Sequence, residues 1–120
     1  MTWNVEYTDE FETWWTKKLA PDEQDEIAAV VGLLERKGPQ LPFPYSSAIK
    51  QSKYAHFREL RIQHGGKPFR VLYAFDPRRT AILLTGGEKT GQQRWYQKQI
   101  RVADRLYEEH LEQLQQEGLI

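Results

Sequence analysis

Between residues 57 and 85 the chain alternates apolar with polar side chains in three short runs, and two tight turns join them. The runs are 57–63, 69–75 and 80–85, with HGGK and DPRR as the punctuation. Apolar segments of this length, split by Gly-rich and Pro-rich turns, predict an antiparallel meander. Period two then sorts the side chains by face. Phe69, Val71, Tyr73 and Phe75 share one face, and Arg70, Leu72 and Ala74 share the other. Leu60 and Ile62 belong in the core, which leaves Glu59 and Arg61 on the opposite side. Arg61 and Arg70 flank one hairpin, and they meet on one face if the pairing register permits it.

Charge sets this stretch apart. The chain as a whole is neutral, with 17 basic and 17 acidic residues. Residues 58–101, however, hold 10 Lys and Arg against 3 Asp and Glu, a net of +7. Residues 1–37 carry −5 and residues 102–120 carry −4. A basic sheet between acidic helices is an electrostatic footprint suited to a phosphate-bearing partner. The competing reading is that strands carry Lys and Arg for solubility and edge protection.

A length of 120 residues suits one domain, 1–120, with a core that needs no staples. There is no cysteine, so disulfides and thiolate chemistry are excluded. The acidic start MTWNVEYTDEF has no signal-like apolar stretch, and no run approaches the roughly 20 residues of a membrane span. The expectation is a soluble cytoplasmic protein without membrane contact. His56, His64 and His110 lack metal-ligand spacing, so neither a metal nor another cofactor is expected.

Residues 3–7 alternate as a short strand, and Thr8 or Asp9 then offers a helix cap before Phe11, Trp14, Trp15 and Leu19. Pro21 opens a second helix with Asp22, Glu23, Asp25 and Glu26 in its first turns, and Gly38-Pro39 stops it. The two helices form a hairpin whose apolar stripes bury the tryptophans against the sheet. Residues 38–47 hold three prolines and read as an extended surface connection that Phe43 and Tyr45 pin down. Residues 48–54 read as irregular or as a short edge strand. Gly86-Gly87 ends the third meander strand, and a long helix runs from Gln92 to Gly118 with Tyr96, Ile100, Ala103, Tyr107, Leu111 and Leu114 on its apolar stripe. The first half of that helix is basic and the second half acidic.

The chain has no nucleophile elbow, P-loop or zinc-protease helix. What remains is an array of guanidinium and ammonium groups with a tyrosine and a histidine nearby. Such an array suits phosphoryl chemistry on RNA, because arginines hold a phosphate bidentately and stabilise charge that builds on it. The RNA supplies its own nucleophile, the 2′-hydroxyl.

The order ELRIQ…GGKPFRVLYAFDPRRTAILLTGGEKT, followed by a helix reading W-Y-x-x-x-I-x-x-A, resembles the RelE/ParE toxin superfamily. The nearest branch is the phage-derived Gp49-like or HigB-like toxins of type II toxin–antitoxin modules. Glu59-Leu60-Arg61, Arg70-Val71-Leu72-Tyr73 and Lys89-Thr90 match that branch's E-L-R, Y-R-V-x-Y and K-K-T elements. The resemblance implies an α+β fold: an N-terminal strand and helical hairpin on an antiparallel sheet, with a C-terminal helix. It also implies a ribosome-dependent mRNA endoribonuclease, neutralised by a small antitoxin that often carries a helix-turn-helix.

On this reading Arg61 and Arg70 clamp the scissile phosphate, and Lys89 stabilises or protonates the leaving 5′-oxygen. Tyr96 stacks on or hydrogen-bonds a base, and His64 is a candidate for acid–base work. Lys53, Arg58, Lys67, Arg94 and Lys98 extend the RNA-binding surface. Phe57 and Glu59 stand where RelE carries strand lysines. The competing class is a ParE-like toxin that inhibits DNA gyrase without cutting RNA, or an inactive relative that only binds antitoxin.

Overall fold

In a computed structural model, residues 2–91 and 93–120 are described. A five-stranded sheet has the order β1-β5-β4-β3-β2, where β1 is Val5–Tyr7, β2 Ser46–Ala48, β3 Arg58–His64, β4 Lys67–Phe75 and β5 Ala81–Glu88. The meander β3–β4–β5 is antiparallel as its turns require, and β2 extends it. The N-terminal strand pairs parallel with β5, so the sheet is antiparallel in all but one pairing.

Helices cover both faces. The hairpin of α1 (Asp9–Lys18) and α2 (Pro21–Lys37) lies on one, and α3 (Gln93–Gln116) lies on the other. The start expected at Gln92 falls outside the described residues. Alternation explains the division. Phe69, Val71 and Tyr73 join Leu60, Ile62, Phe11, Ile27 and Leu34 in the core beneath the hairpin. Leu72 and Ala74 join Ile82, Leu84, Ile100, Ala103 and Tyr107 beneath α3. Burial on both faces is why β4 is apolar almost throughout.

Thr8 is the cap of α1: its hydroxyl accepts from the Phe11 amide at 3.1 Å and donates to the Leu84 carbonyl at 2.6 Å, tying the helix to β5. At α2 the Glu23 carboxylate reaches back to the Ala20 amide at 2.8 Å. Trp14 and Trp15 are half-buried against the hairpin core.

Three expectations need correction. Gly86-Gly87 does not end the strand; β5 continues through both to Glu88. Each glycine seats an indole: a Cβ on Gly86 would meet Trp14 of α1 at 2.4 Å, and one on Gly87 would meet Trp95 of α3 at 3.1 Å. The Pro-rich connection is not wholly extended, since residues 38–40 form a 3₁₀ turn and its end belongs to the edge strand β2, after which residues 49–54 are irregular, one of the two readings of that stretch. Phe43 and Tyr45 do not pin that connection into the core, for both are exposed.

Asp76, at the end of β4, has a fully buried carboxylate that organises the DPRR turn. It accepts from the Arg78 amide (2.8 Å), the Thr80 amide (3.2 Å) and the Arg78 guanidinium (2.7 and 3.0 Å). His110 Nε2 of α3 lies 2.9 Å from Oδ2, the oxygen that the guanidinium also bonds. This carboxylate anchors the acidic half of α3 to the turn. Burial pushes Asp76 up, but the bonds from Arg78, His110 and Thr80 outweigh it and hold the carboxyl below the usual aspartate value.

Candidate functional site

Arg61 and Arg70 are directly opposite one another in the β3–β4 register, so they share a face, the one beneath the start of α3. Two guanidiniums held side by side repel, and Glu59, two residues before Arg61 on the same face, stands between them. Its Oε2 lies 3.4 Å from Arg61 Nη1 and its Oε1 lies 3.6 Å from Arg70 Nε. Ser47, opposite Glu59 on β2, donates to Oε2 at 2.9 Å, and the Tyr96 hydroxyl of α3 donates to Oε1 at 2.7 Å. The Lys89 ammonium, just past β5, sits 5.7 Å from the Tyr96 ring centre. Of the five residues assigned to catalysis from sequence, Arg61, Arg70 and Tyr96 therefore gather around one carboxylate, and Lys89 joins them through the Tyr96 ring.

Burial grades the cluster. The Glu59 and Arg70 side chains are each 7% exposed, while Arg61 is 29% exposed and forms the open side. Arg70 donates Nη1 to the Phe69 carbonyl at 3.0 Å, but among the described residues its Nε has no hydrogen-bond partner, because 3.6 Å to Glu59 is too long. Among the described residues, the two guanidiniums face one carboxylate, which leaves a formal surplus of positive charge. Burial raises the Tyr96 phenol above its ordinary value, and the bond to Glu59 adds to this while Arg70 partly offsets it. Tyr96 therefore stays a protonated donor. Chemically, the array offers anion-holding guanidiniums, an ammonium, a phenol donor and a carboxylate able to accept a proton.

His64 is not part of this array. It shares the face of Leu60 and Ile62, where its Nε2 lies 2.9 Å from Asp22 and its Nδ1 4.0 Å from Glu26, both on α2. The bond to Asp22 raises its pKa, against a smaller opposing effect of burial. Arg58 and Lys67 also face the hairpin: Arg58 donates to Ser46 at 2.9 Å, and Lys67 pairs with Glu23 at 3.1 Å. Lys53 pairs with Glu108 farther along α3. Arg94 and Lys98 are exposed on the first turns of α3, the helix that supplies Tyr96, and among the described residues neither forms an ion pair. Of the five surface cations expected to bind RNA, these two share a helix with a member of the array.

Glu59 is the member that sequence reasoning assigned no role. Its signal was present: a carboxylate sharing an alternation with Arg61, in a segment with only three acids. A groove of about 560 Å³ lies on the hairpin side between Val5, Phe11, Trp15, Val31 and Leu83. It has no Lys or Arg in its lining, so it does not suit an anion.

Known proteins resemble the chain at three levels. Residues 14–108 match the family described as phage-derived protein Gp49-like (DUF891). Two relatives from Mycobacterium tuberculosis (strain ATCC 25618 / H37Rv) are named as toxins. HigB2 is 35% identical over 103 residues, covering 84% of this chain and 51% of its own length, so the chain spans about half of that relative. HigB3 is 39% identical over 98 residues, covering 81% of this chain and 84% of its own. Among solved structures, the toxin–antitoxin complex RelBE2 from M. tuberculosis superposes with a TM-score of 0.54 at 19% identity, covering 74% of this chain and 100% of that one. At that identity the likeness speaks for the fold, which is RelE-like, as the sequence motifs led one to expect. By both the family match and these relatives, the chain is a member of the Gp49-like (DUF891) family of HigB-like toxins.

Proposed function

We propose that this toxin is a ribosome-dependent mRNA endoribonuclease, held in check in the cytoplasm by an antitoxin of the helix-turn-helix kind. The observation that carries the reading is the convergence of Arg61, Arg70 and Tyr96 around Glu59 on one sheet face, with Lys89 beside the Tyr96 ring. A phosphodiester entering from the Arg61 side meets two guanidiniums suited to its non-bridging oxygens. Glu59 takes the proton of the adjacent 2′-hydroxyl, and that oxygen attacks phosphorus. The bond to the 5′-oxygen breaks, Lys89 or Tyr96 returns a proton to it, and the products are a 2′,3′-cyclic phosphate and a 5′-hydroxyl. Charge that builds on the phosphoryl oxygens is stabilised by groups already in place. The reaction uses no group beyond these side chains and the RNA.

The test is induction of the toxin followed by mapping of mRNA 5′ ends, with Arg70→Ala and Arg70→Lys as comparators. New ends at fixed codon positions, absent with Arg70→Ala, are expected. Intact transcripts accompanied by supercoiling defects would overturn the nuclease reading in favour of gyrase inhibition.

A further inference from the structure

Phe43 is 68% exposed, the most exposed of the large apolar side chains among the described residues. A single exposed ring is ordinary on a protein surface, so exposure alone says little. Its neighbours make the difference. The Arg61 guanidinium carbon lies 5.1 Å from the centre of the Phe43 ring, while Nη1 of the same guanidinium approaches Glu59 at 3.4 Å. One residue thus links the ring to the candidate phosphate site. The backbone beside the ring is held in place: the Tyr45 and Ser46 amides donate to the Pro42 carbonyl at 3.0 and 3.1 Å, and the Arg61 amide donates to the Tyr45 carbonyl at 2.9 Å. The ring is therefore presented to solvent from a fixed loop, next to a cluster with surplus positive charge.

We propose that Phe43, backed by Arg61, is a stacking platform for a nucleobase of single-stranded RNA, next to the phosphate that Arg61 and Arg70 hold. The inference rests on the nuclease reading and adds the group that positions the nucleotide. An aromatic face beside a guanidinium is the surface on which unpaired bases stack, and the positive surroundings favour a polyanion over an apolar peptide. The contact needs no particular base, because every base has a π-face, and it works best for purines, whose face is larger.

Single-turnover cleavage on programmed ribosomes tests this, using wild type, Phe43→Ala, Phe43→Leu and Phe43→Trp, with 2-aminopurine placed in the cleaved codon. Stacking of one base on an aromatic ring predicts that Phe43→Ala weakens half-saturation about 5- to 100-fold. Phe43→Trp restores it, and Phe43→Leu does not, although it keeps the apolar bulk. The 2-aminopurine in a 2′-O-methyl codon is quenched by wild type and by Phe43→Trp alone. Wild-type cleavage with an unchanged Phe43→Ala overturns the platform and leaves the nuclease reading standing. So does a Phe43→Ala protein that cleaves normally but no longer binds its antitoxin, which would assign the ring to that interface. A wild type that neither cleaves nor quenches overturns both.

Discussion

Replacing Glu59 by Gln keeps the shape of the side chain and removes its charge. Glu59 and Arg70 are both 7% exposed at the side chain, so the substitution leaves a cation in a site largely stripped of water. Removing one member of a buried ion pair costs about 3–5 kcal/mol in general. Here the contacts are long, 3.4 and 3.6 Å, and the amide can still bond Ser47 and Tyr96, so about 2–3 kcal/mol is expected. For a chain of this size that corresponds to a fall in Tm of about 8–12 °C. The orphaned guanidiniums should then bind an anion more tightly than before. Added sulfate stabilises most proteins by exclusion, so the informative quantity is the extra rise in Tm of Glu59→Gln over wild type. The same variant, having lost its proton acceptor, should cleave about 10²- to 10⁴-fold more slowly on programmed ribosomes. A Tm within about 2 °C of wild type, with no extra response to sulfate, would refute the coupling of Glu59 to the arginines.

Other consequences are open to simpler measurements. Gly86→Ala should destabilise the fold by about 1–3 kcal/mol, because its methyl would sit 2.4 Å from the Trp14 ring, and the tryptophan emission should shift; an unchanged melting curve would count against that packing. The Asp76 carboxyl is held below its unfolded value, so its stabilising effect is present above roughly pH 4 and is lost as pH falls through the lower, folded value. Asp76→Asn should therefore flatten the acid limb of a stability–pH curve, and an identical limb would disprove the link. His64 is raised by Asp22, so the stability it contributes is complete below its ordinary value near 6.5 and is lost as pH rises through the raised one. His64→Gln should abolish that dependence while leaving cleavage unchanged; a large loss of cleavage would return His64 to the site.

Alternation was enough to read the meander and the two faces of β4, while the shared face of Arg61 and Arg70 also required the pairing register. Those features depend on a period of two and one short turn, both local. His64, Arg58 and Lys67 lie near the site along the chain, yet alternation places all three beneath the hairpin, where acids of α2 or the Ser46 hydroxyl of β2 hold them. Applying the same period to every charged residue would have separated them. Glu59 was harder to weigh. Its role as hub depends on Ser47 and Tyr96 arriving from a distant edge strand and from α3, contacts separated by 12 and 37 residues. The glycine pair misled for a related reason. Gly-Gly ordinarily marks a strand's end, and only the two indoles show why glycine is needed within the strand.

Those paired seats also limit how the molecule can vary. Trp14 and Trp95 press on neighbouring residues of a single strand from its two sides, and Lys89 follows Gly87 by only two positions. A bulkier residue at Gly86 would displace β5, and the displacement would be felt at the ammonium group beside Tyr96. The hairpin, which supplies none of the clustered cations, thus helps fix where one of them stands. Repacking around Trp14 is therefore a route by which a change on one side of the protein alters chemistry on the other.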